Sequence, residues 1–300
     1  MRPAFAAITL ALAVASCATR DARTTFIPPP AEAPANLACA PALGLSDSDG
    51  DLARVDPALL AELCVSVAQV NDGGRTWTIE RFQSGRPGPL WIVPHDDENS
   101  AFASGVAALH RHGGILVAVD NYGWRTNESR DPNRIFGSAA RCHGDGSGPV
   151  APLFTTEMLR HRFAGYPIIA LHTNLRGYEG DGADGQGNTS ILLGGPHRTQ
   201  FPAAASYPGS VSPPDTLAFV AGAGQAPDEA TAQLIAQLNS LGVNVIYEHV
   251  APGWTDCSLS NFALLSNLAV YINIETVEGD AETQTRLIDE VMRLLLPLVS

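Results

Sequence analysis

From about residue 76 onward, short apolar runs of strand length alternate with longer helix-like segments. Strands are predicted over Thr76–Phe82, Leu90–Val93, Gly114–Asp120, Ile168–His172, Leu217–Ala221, Val243–His249 and Val270–Thr276. Helices are predicted at about Ser100–His112, Asp228–Leu241, Leu259–Asn267 and Ala281–Leu298. This alternation predicts an α/β fold: a three-layer sandwich with a mixed, largely parallel central sheet flanked by helices. Between His172 and Asp215 lies a long stretch rich in Gly, Pro and Ser, of the kind that forms functional or mobile loops. No internal repeat is present, and residues 45–300 read as one domain.

Upstream the pattern changes. After Arg2, Ala4–Ala15 is an apolar run too short for a spanning helix, so residues 1–16 read as a secretory signal peptide. Residues 17–44 form an Ala- and Pro-rich tether centred on Pro28-Pro29-Pro30. The junction Val14-Ala15-Ser16-Cys17 resembles a bacterial lipoprotein signal. That resemblance implies lipidation of Cys17 and a place in the bacterial cell envelope, facing the periplasm, with membrane contact through the lipid anchor only. The remaining cysteines, Cys39, Cys64, Cys142 and Cys257, are even in number, which suits an oxidising compartment. The expected pairing is Cys39 with Cys64 and Cys142 with Cys257, the alternative being buried free thiols.

Charge narrows the function classes. The chain has 31 acidic and 18 basic residues, a formal charge of −13, and every basic residue is an arginine. Such a surface does not bind a phosphate backbone, so no nucleic-acid partner is expected. With no lysine there is neither Schiff-base chemistry nor a P-loop contact to phosphate. Gly180-Asp181-Gly182-Ala183-Asp184-Gly185 spells GxGxxG, but no helix is predicted after it and its aspartates repel a pyrophosphate, so no nucleotide is expected. No G-x-S-x-G elbow supports serine hydrolysis. Asp47-Ser48-Asp49-Gly50-Asp51 lacks the distant glutamate of a calcium loop and reads as a polar turn.

Four polar endpoints carry the candidate chemistry. Trp91-Ile92-Val93-Pro94-His95-Asp96-Asp97-Glu98 ends a strand in H-x-x-E, and a turn there can aim His95 and Glu98 at one point as an imidazole–carboxylate pair for zinc. Asp131-Pro132-Asn133-Arg134-Ile135-Phe136 follows. Ile168–His172 is a strand ending in histidine, and Tyr271-Ile272-Asn273-Ile274-Glu275 is one ending in a carboxylate. Strand ends of this kind converge at one edge of an α/β sheet.

In this order and spacing the chain resembles the zinc carboxypeptidase superfamily, near its succinylglutamate desuccinylase and aspartoacylase branch. The resemblance implies one Zn2+ ion on His95, Glu98 and His172, with an open position for water or substrate. It makes Glu275 the general base that takes a proton from the attacking water and delivers it to the leaving nitrogen. It makes Asn133 and Arg134 the pair that holds a substrate carboxylate, and Arg125 the group that polarises the scissile carbonyl, with Arg130 the alternative. The chain departs from the family pattern at Asp96-Asp97, which adds negative charge beside the metal; one of the two is a candidate second-layer partner of a histidine. A substrate-capping tyrosine is left open among Tyr178, Tyr207 and Tyr247.

The expected activity is zinc-dependent hydrolysis of an amide bond next to a free carboxylate, on cell-wall peptides. The alternatives are an N-acyl amino acid deacylase and a non-catalytic cell-wall-binding lipoprotein. Outside the four motifs, His110, His112, His143, His161 and His197 read as solvated, with His197 also a candidate for the site rim, His249 is a candidate second-layer group, and Glu278 reads as a solvated turn residue competing with Glu275.

Overall fold

A computed structural model describes residues 38–45, 49–137, 150–174, 189–192, 194–195, 197–203, 213–250 and 255–295. The strands are β1 (Ala40–Pro41), β2 (Cys64–Asp72), β3 (Arg75–Gln83), β4 (Leu90–Val93), β5 (Ile115–Asp120), β6 (Ile168–Asn174), β7 (Arg198–Phe201), β8 (Leu217–Gly222), β9 (Asn244–His249) and β10 (Tyr271–Val277). The helices are α1 (Pro57–Ala61), α2 (Asn99–His112), α3 (Pro152–Leu159), α4 (Glu229–Ser240), α5 (Leu259–Leu265) and α6 (Ala281–Leu295). All ten strands join one mixed sheet in the order β1-β2-β3-β5-β4-β6-β10-β8-β9-β7.

The middle of the sheet, β5-β4-β6-β10, is parallel, and the pairings β2–β3, β3–β5 and β10–β8 on either side are antiparallel. Parallel strands buried on both faces need apolar side chains at every position, and β4 meets that demand with Leu-Trp-Ile-Val, all buried. Its alternate residues divide between two cores. Trp91 and Val93 join a cluster with α1, α2, α4 and α6, whereas Leu90 and Ile92 join one with α3 and α5. These two cores separate the three layers of the expected sandwich. α6 presents Leu287, Ile288, Val291, Met292 and Leu295 inward at helical spacing, and its N-terminal half packs beside α2.

Several elements escaped prediction. β2 has the alternating burial of an edge-side antiparallel strand, and its short hairpin to β3 turns on Gly73 and Gly74, both at positive φ. α3 carries Phe154, Met158 and Leu159 into the second core, and α1 and β7 are too short to leave a periodic signature. Cys39 is disulfide-bonded to Cys64 as expected, and Ala40–Pro41 pair with Cys64–Val65, so ordered structure begins inside the segment read as tether. Cys257 is in a disulfide too, while Cys142 lies outside the described residues. The signal peptide, Cys17, His143, Tyr178, Tyr207 and the GxGxxG spelling also lie outside them. Among the described residues no helix is long and apolar enough to cross a membrane.

Candidate metal centre

β4 ends at Val93, and Pro94 ends the strand because it has no N–H for the ladder. The chain then turns so that the Glu98 N–H donates to the His95 carbonyl at 3.3 Å. Glu98 is the N-cap residue of α2, yet its side chain makes no capping bond. That task falls to Glu278, whose carboxylate accepts from the Ser100 N–H at 3.3 Å and from the Thr173 hydroxyl at 2.8 Å. Glu278 is therefore a structural cap for α2 rather than a solvated turn residue, and Glu98 is released to face the sheet.

His172 stands near the end of β6, its carbonyl accepting from the Gln284 side chain of α6 at 2.9 Å. The three expected ligands converge. His95 Nδ1 is 2.8 Å from Glu98 Oε1, His172 Nδ1 is 3.1 Å from Glu98 Oε2, and the two Nδ1 atoms are 3.2 Å apart. All three side chains are buried, and they form a group able to hold a metal ion.

A cation fits this arrangement for a reason visible in the hydrogen bonding. His95 Nε2 lies 2.9 Å from Asp131 Oδ1, and a carboxylate there fixes the tautomer with the proton on Nε2. The Nδ1 lone pair then points at the Glu98 carboxylate and at the second imidazole nitrogen. Only a proton or a cation between them relieves that opposition. Without a metal, burial alone would depress the His95 pKa, but Glu98 and Asp131 outweigh it and raise the imidazole to about 9. Burial likewise opposes ionisation of Glu98, and His95 and His172 hold that carboxyl well below its ordinary range.

Asp131 is the site residue that motif reading passed over. It lies in the same D-x-N-R run, and its Oδ1 also accepts the Asn133 N–H at 2.7 Å, which sets the single 3-10 turn Pro132–Arg134. The expected second-layer aspartates do not take that part. Asp96 turns away and accepts from the Asn121 and Gly123 N–H groups at 2.6 and 2.7 Å, and Asp97 lies 3.7 Å from Arg125. Asp96 also gathers with Asp49 and Asp51, so the described part of the predicted turn brings two carboxylates close to a third beside His95.

The remaining predicted residues gather around the group. Glu275 is paired in register with His172 across β10 and β6 and is 9% exposed. Its Oε1 accepts from the Asn273 side chain at 3.3 Å, two residues back on the same strand face. Burial, opposed by His172 and aided by Glu98, raises its pKa. Arg125 Nη1 is 2.6 Å from Glu98 Oε1, whereas Arg130 lies beside Arg75 on a more open part of the loop. Asn133 is buried, with Nδ2 3.4 Å from His172 Nε2 and Oδ1 accepting from the Leu259 N–H at the start of α5. Arg134 donates to the Asn133 carbonyl at 2.8 Å and lies 3.8 Å from Asp256.

Behind Arg134 the fold places groups the motifs did not include. Glu248 at the end of β9 accepts from the Ser260 hydroxyl at 2.5 Å, and burial, followed by Asp256, raises its pKa. Tyr271 on β10 is pushed well above the ordinary phenol range, chiefly by burial. Five residues considered from sequence stand elsewhere. Tyr247 is buried with its hydroxyl donating to the Gly224 carbonyl at 2.6 Å, which removes it from the capping candidates. His197 and His249 face each other with ring centres 5.9 Å apart, and His110 and His112 are paired with Glu62 and Asp289 rather than simply solvated.

The chain matches no protein-family model and no curated protein. It is similar in structure to candidate metallopeptidases from three Shewanella species. That from S. amazonensis is 14% identical with a TM-score of 0.39, covering 79% of this chain and 87% of that one. Its counterpart from S. baltica is 13% identical with a TM-score of 0.40, over 78% and 87%. The third, from S. denitrificans, is 14% identical with a TM-score of 0.39, over 77% and 85%. These likenesses are distant, and the functional reading below rests on the site itself.

Proposed function

We propose that this protein is a zinc-dependent hydrolase of an amide bond adjacent to a free carboxylate, acting in the manner of a carboxypeptidase on cell-wall peptides. One observation carries the reading: His95, Glu98 and His172 converge through their ligand atoms while Glu275, in register with His172, supplies a buried carboxylate beside them. Two imidazoles and one carboxylate suit zinc, which when bound supplies a water of lowered pKa and a Lewis acid for the scissile carbonyl.

The chain's own residues supply the other roles. Glu275, raised by burial, takes the proton of the attacking water and passes it to the departing nitrogen. Arg134, steered by the Asn133 carbonyl and Asp256, offers a fixed planar cation to the substrate's carboxylate, and Asn133 adds an amide beside it. Arg125 stands by Glu98, where a guanidinium can stabilise charge growing on the carbonyl oxygen. The amino-terminal pattern ending at Cys17 supports a lipid-anchored protein facing the periplasm, where peptides with terminal carboxylates are at hand.

The test is to load the purified protein with zinc, incubate it with a muropeptide mixture and identify products by mass spectrometry, with His95→Ala as control. Release of a carboxyl-terminal residue by the parent alone supports the reading. Turnover of N-acetyl or N-succinyl amino acids but not of muropeptides would assign the protein to deacylation instead. Stoichiometric zinc with no turnover of either class would leave a binding lipoprotein.

A further inference from the structure

Tyr122 and Trp124 are each 71% exposed, on the loop that leaves β5 and reaches the metal group through Arg125. Two exposed rings this close together offer a rigid amphipathic contact surface. These two line a shallow groove of about 650 Å3 over the surface of β2 and β3, within the ~300–1,000 Å3 typical of small-ligand sites. The rest of that lining is mainly neutral and polar: Gln69, Thr76, Thr78 and Asn127 offer hydroxyl and amide groups. Its charged members, Asp120 and Glu128, are acidic, which repels phosphate-bearing polymers and anionic surfaces.

The loop is built to hold the rings outward. Tyr122 has φ 57°, a left-handed conformation that a bulky side chain rarely adopts. It is fixed there by three hydrogen bonds: Asp120 Oδ1 takes the Tyr122 N–H at 3.2 Å, and Asp96 Oδ2 takes the N–H groups on either side. The Asn121 side chain donates to the Trp124 carbonyl at 2.9 Å. Further along, Arg75 donates to the Asn127 and Glu128 carbonyls at 3.1 and 3.0 Å, and Asn127 donates back to the Thr76 carbonyl at 2.8 Å.

We infer that this groove is a saccharide-binding subsite. The faces of the rings attract the polarised C–H groups of a pyranose, because an aromatic face is negative, while the amides and hydroxyls satisfy sugar hydroxyls. An apolar protein partner would instead call for aliphatic lining, and the groove's walls are threonine, asparagine and glutamine. Trp124 immediately precedes Arg125, whose guanidinium is 2.6 Å from Glu98, so the loop that carries the groove's rings also reaches the metal group. That the bound sugar is part of the substrate rests on the amide-hydrolase reading; the binding itself does not.

The experiment is calorimetric titration of the full chain with the tetramer of N-acetylglucosamine and, separately, with maltotetraose. At least one is expected to bind. Trp124→Ala should weaken binding by about 10-fold, and Trp124→Phe, which keeps a ring, should retain most of it. Tyr122→Gly removes the second ring and relaxes the left-handed position, so it should also bind about 10-fold more weakly while melting no lower than the parent. In the ring variants KM should rise for sugar-linked muropeptides and stay unchanged for sugar-free peptides. Saccharide binding by a protein that hydrolyses no amide would uphold the groove while overturning the hydrolase. No heat with either saccharide at millimolar concentration, equal binding by the parent and ring variants, or loss of self-association as the sole effect of ring removal would overturn the proposal.

Discussion

Asp131 Oδ1 lies 2.9 Å from His95 Nε2, on the side of the imidazole away from the metal group, and the same oxygen accepts the Asn133 N–H at 2.7 Å. One carboxylate thus orients a candidate metal ligand and shapes the turn that carries Asn133 and Arg134. Asp131→Asn keeps an oxygen for the turn but removes the charge that holds the imidazole. It should lower zinc affinity by roughly 10- to 100-fold, measured by competition with a chelating indicator, with little change in the far-ultraviolet circular dichroism of the protein. Unchanged affinity would remove Asp131 from the centre.

Glu275→Gln preserves shape and the contact with Asn273 but cannot accept a proton. Zinc content should stay at that of the parent while kcat falls by about 100- to 10,000-fold. Elemental analysis and steady-state kinetics on the same preparation separate the two effects. Parent-like turnover would mean that another group serves as the base.

Arg134→Gln leaves a hydrogen-bonding side chain in place of the cation. A lost charge-assisted contact corresponds to a fall in kcat/KM of about 10- to 100-fold. The fall should appear with a free carboxylate on the substrate and vanish when that carboxylate is amidated. An equal fall for both substrates would show that Arg134 acts on the fold and not on the carboxylate.

Glu248 gives a pH signature. Burial, reinforced by Asp256, raises its pKa above the ordinary 4.5 in the folded protein. The folded state therefore holds this proton more tightly than the unfolded chain, so its contribution is present below about pH 4.5 and is lost as pH rises toward the raised value. Glu248→Gln should flatten that part of the curve and raise the melting temperature relative to the parent at neutral pH. Melting curves from about pH 4 to 8 test this, and a variant that loses stability throughout would show the ionised carboxylate to be favourable.

Gly114→Ala should be destabilising. Gly114 has φ 95°, and an added Cβ would stand 1.9 Å from the Pro89 carbonyl oxygen. The close approach holds the segment entering β4 against the end of α2, where Trp91 Nε1 donates to the Gly113 carbonyl at 2.9 Å. A left-handed position by itself costs a substituted residue about 1–3 kcal/mol, and backbone displacement adds to it. Chemical denaturation checks the size, and a loss below about 0.5 kcal/mol would show that the loop yields freely.

The four parallel strands at the centre were legible because their apolar stretches, broken in β10 only at Asn273, have a polar residue at or just beyond their ends. His95, His172 and Glu275 were legible for the same reason: a polar group just after such a run stands at the strand's carboxyl end. β2 was harder to read, because an edge-side strand alternates polar with apolar residues and Ser66, Gln69 and Asn71 interrupt the signal. Helix α3 is eight residues long, too short to display a period. The choice of Arg125 over Arg130 depended on the path of an irregular loop, which has no period at all.

By itself the sequence determined the alternating α/β order, the candidate imidazole and carboxylate groups and the absence of lysine chemistry, since these follow from residue identity and from spacing along one strand or turn. The tertiary structure decided which carboxylate serves which neighbour. Asp131 faces His95 while the nearer Asp96 faces a loop, Glu278 caps a helix while Glu275 stands in register with His172, and Tyr122 and Trp124 are held outward. Those assignments depend on hydrogen bonds between segments distant in sequence, and their directions are set only when the strands pack side by side.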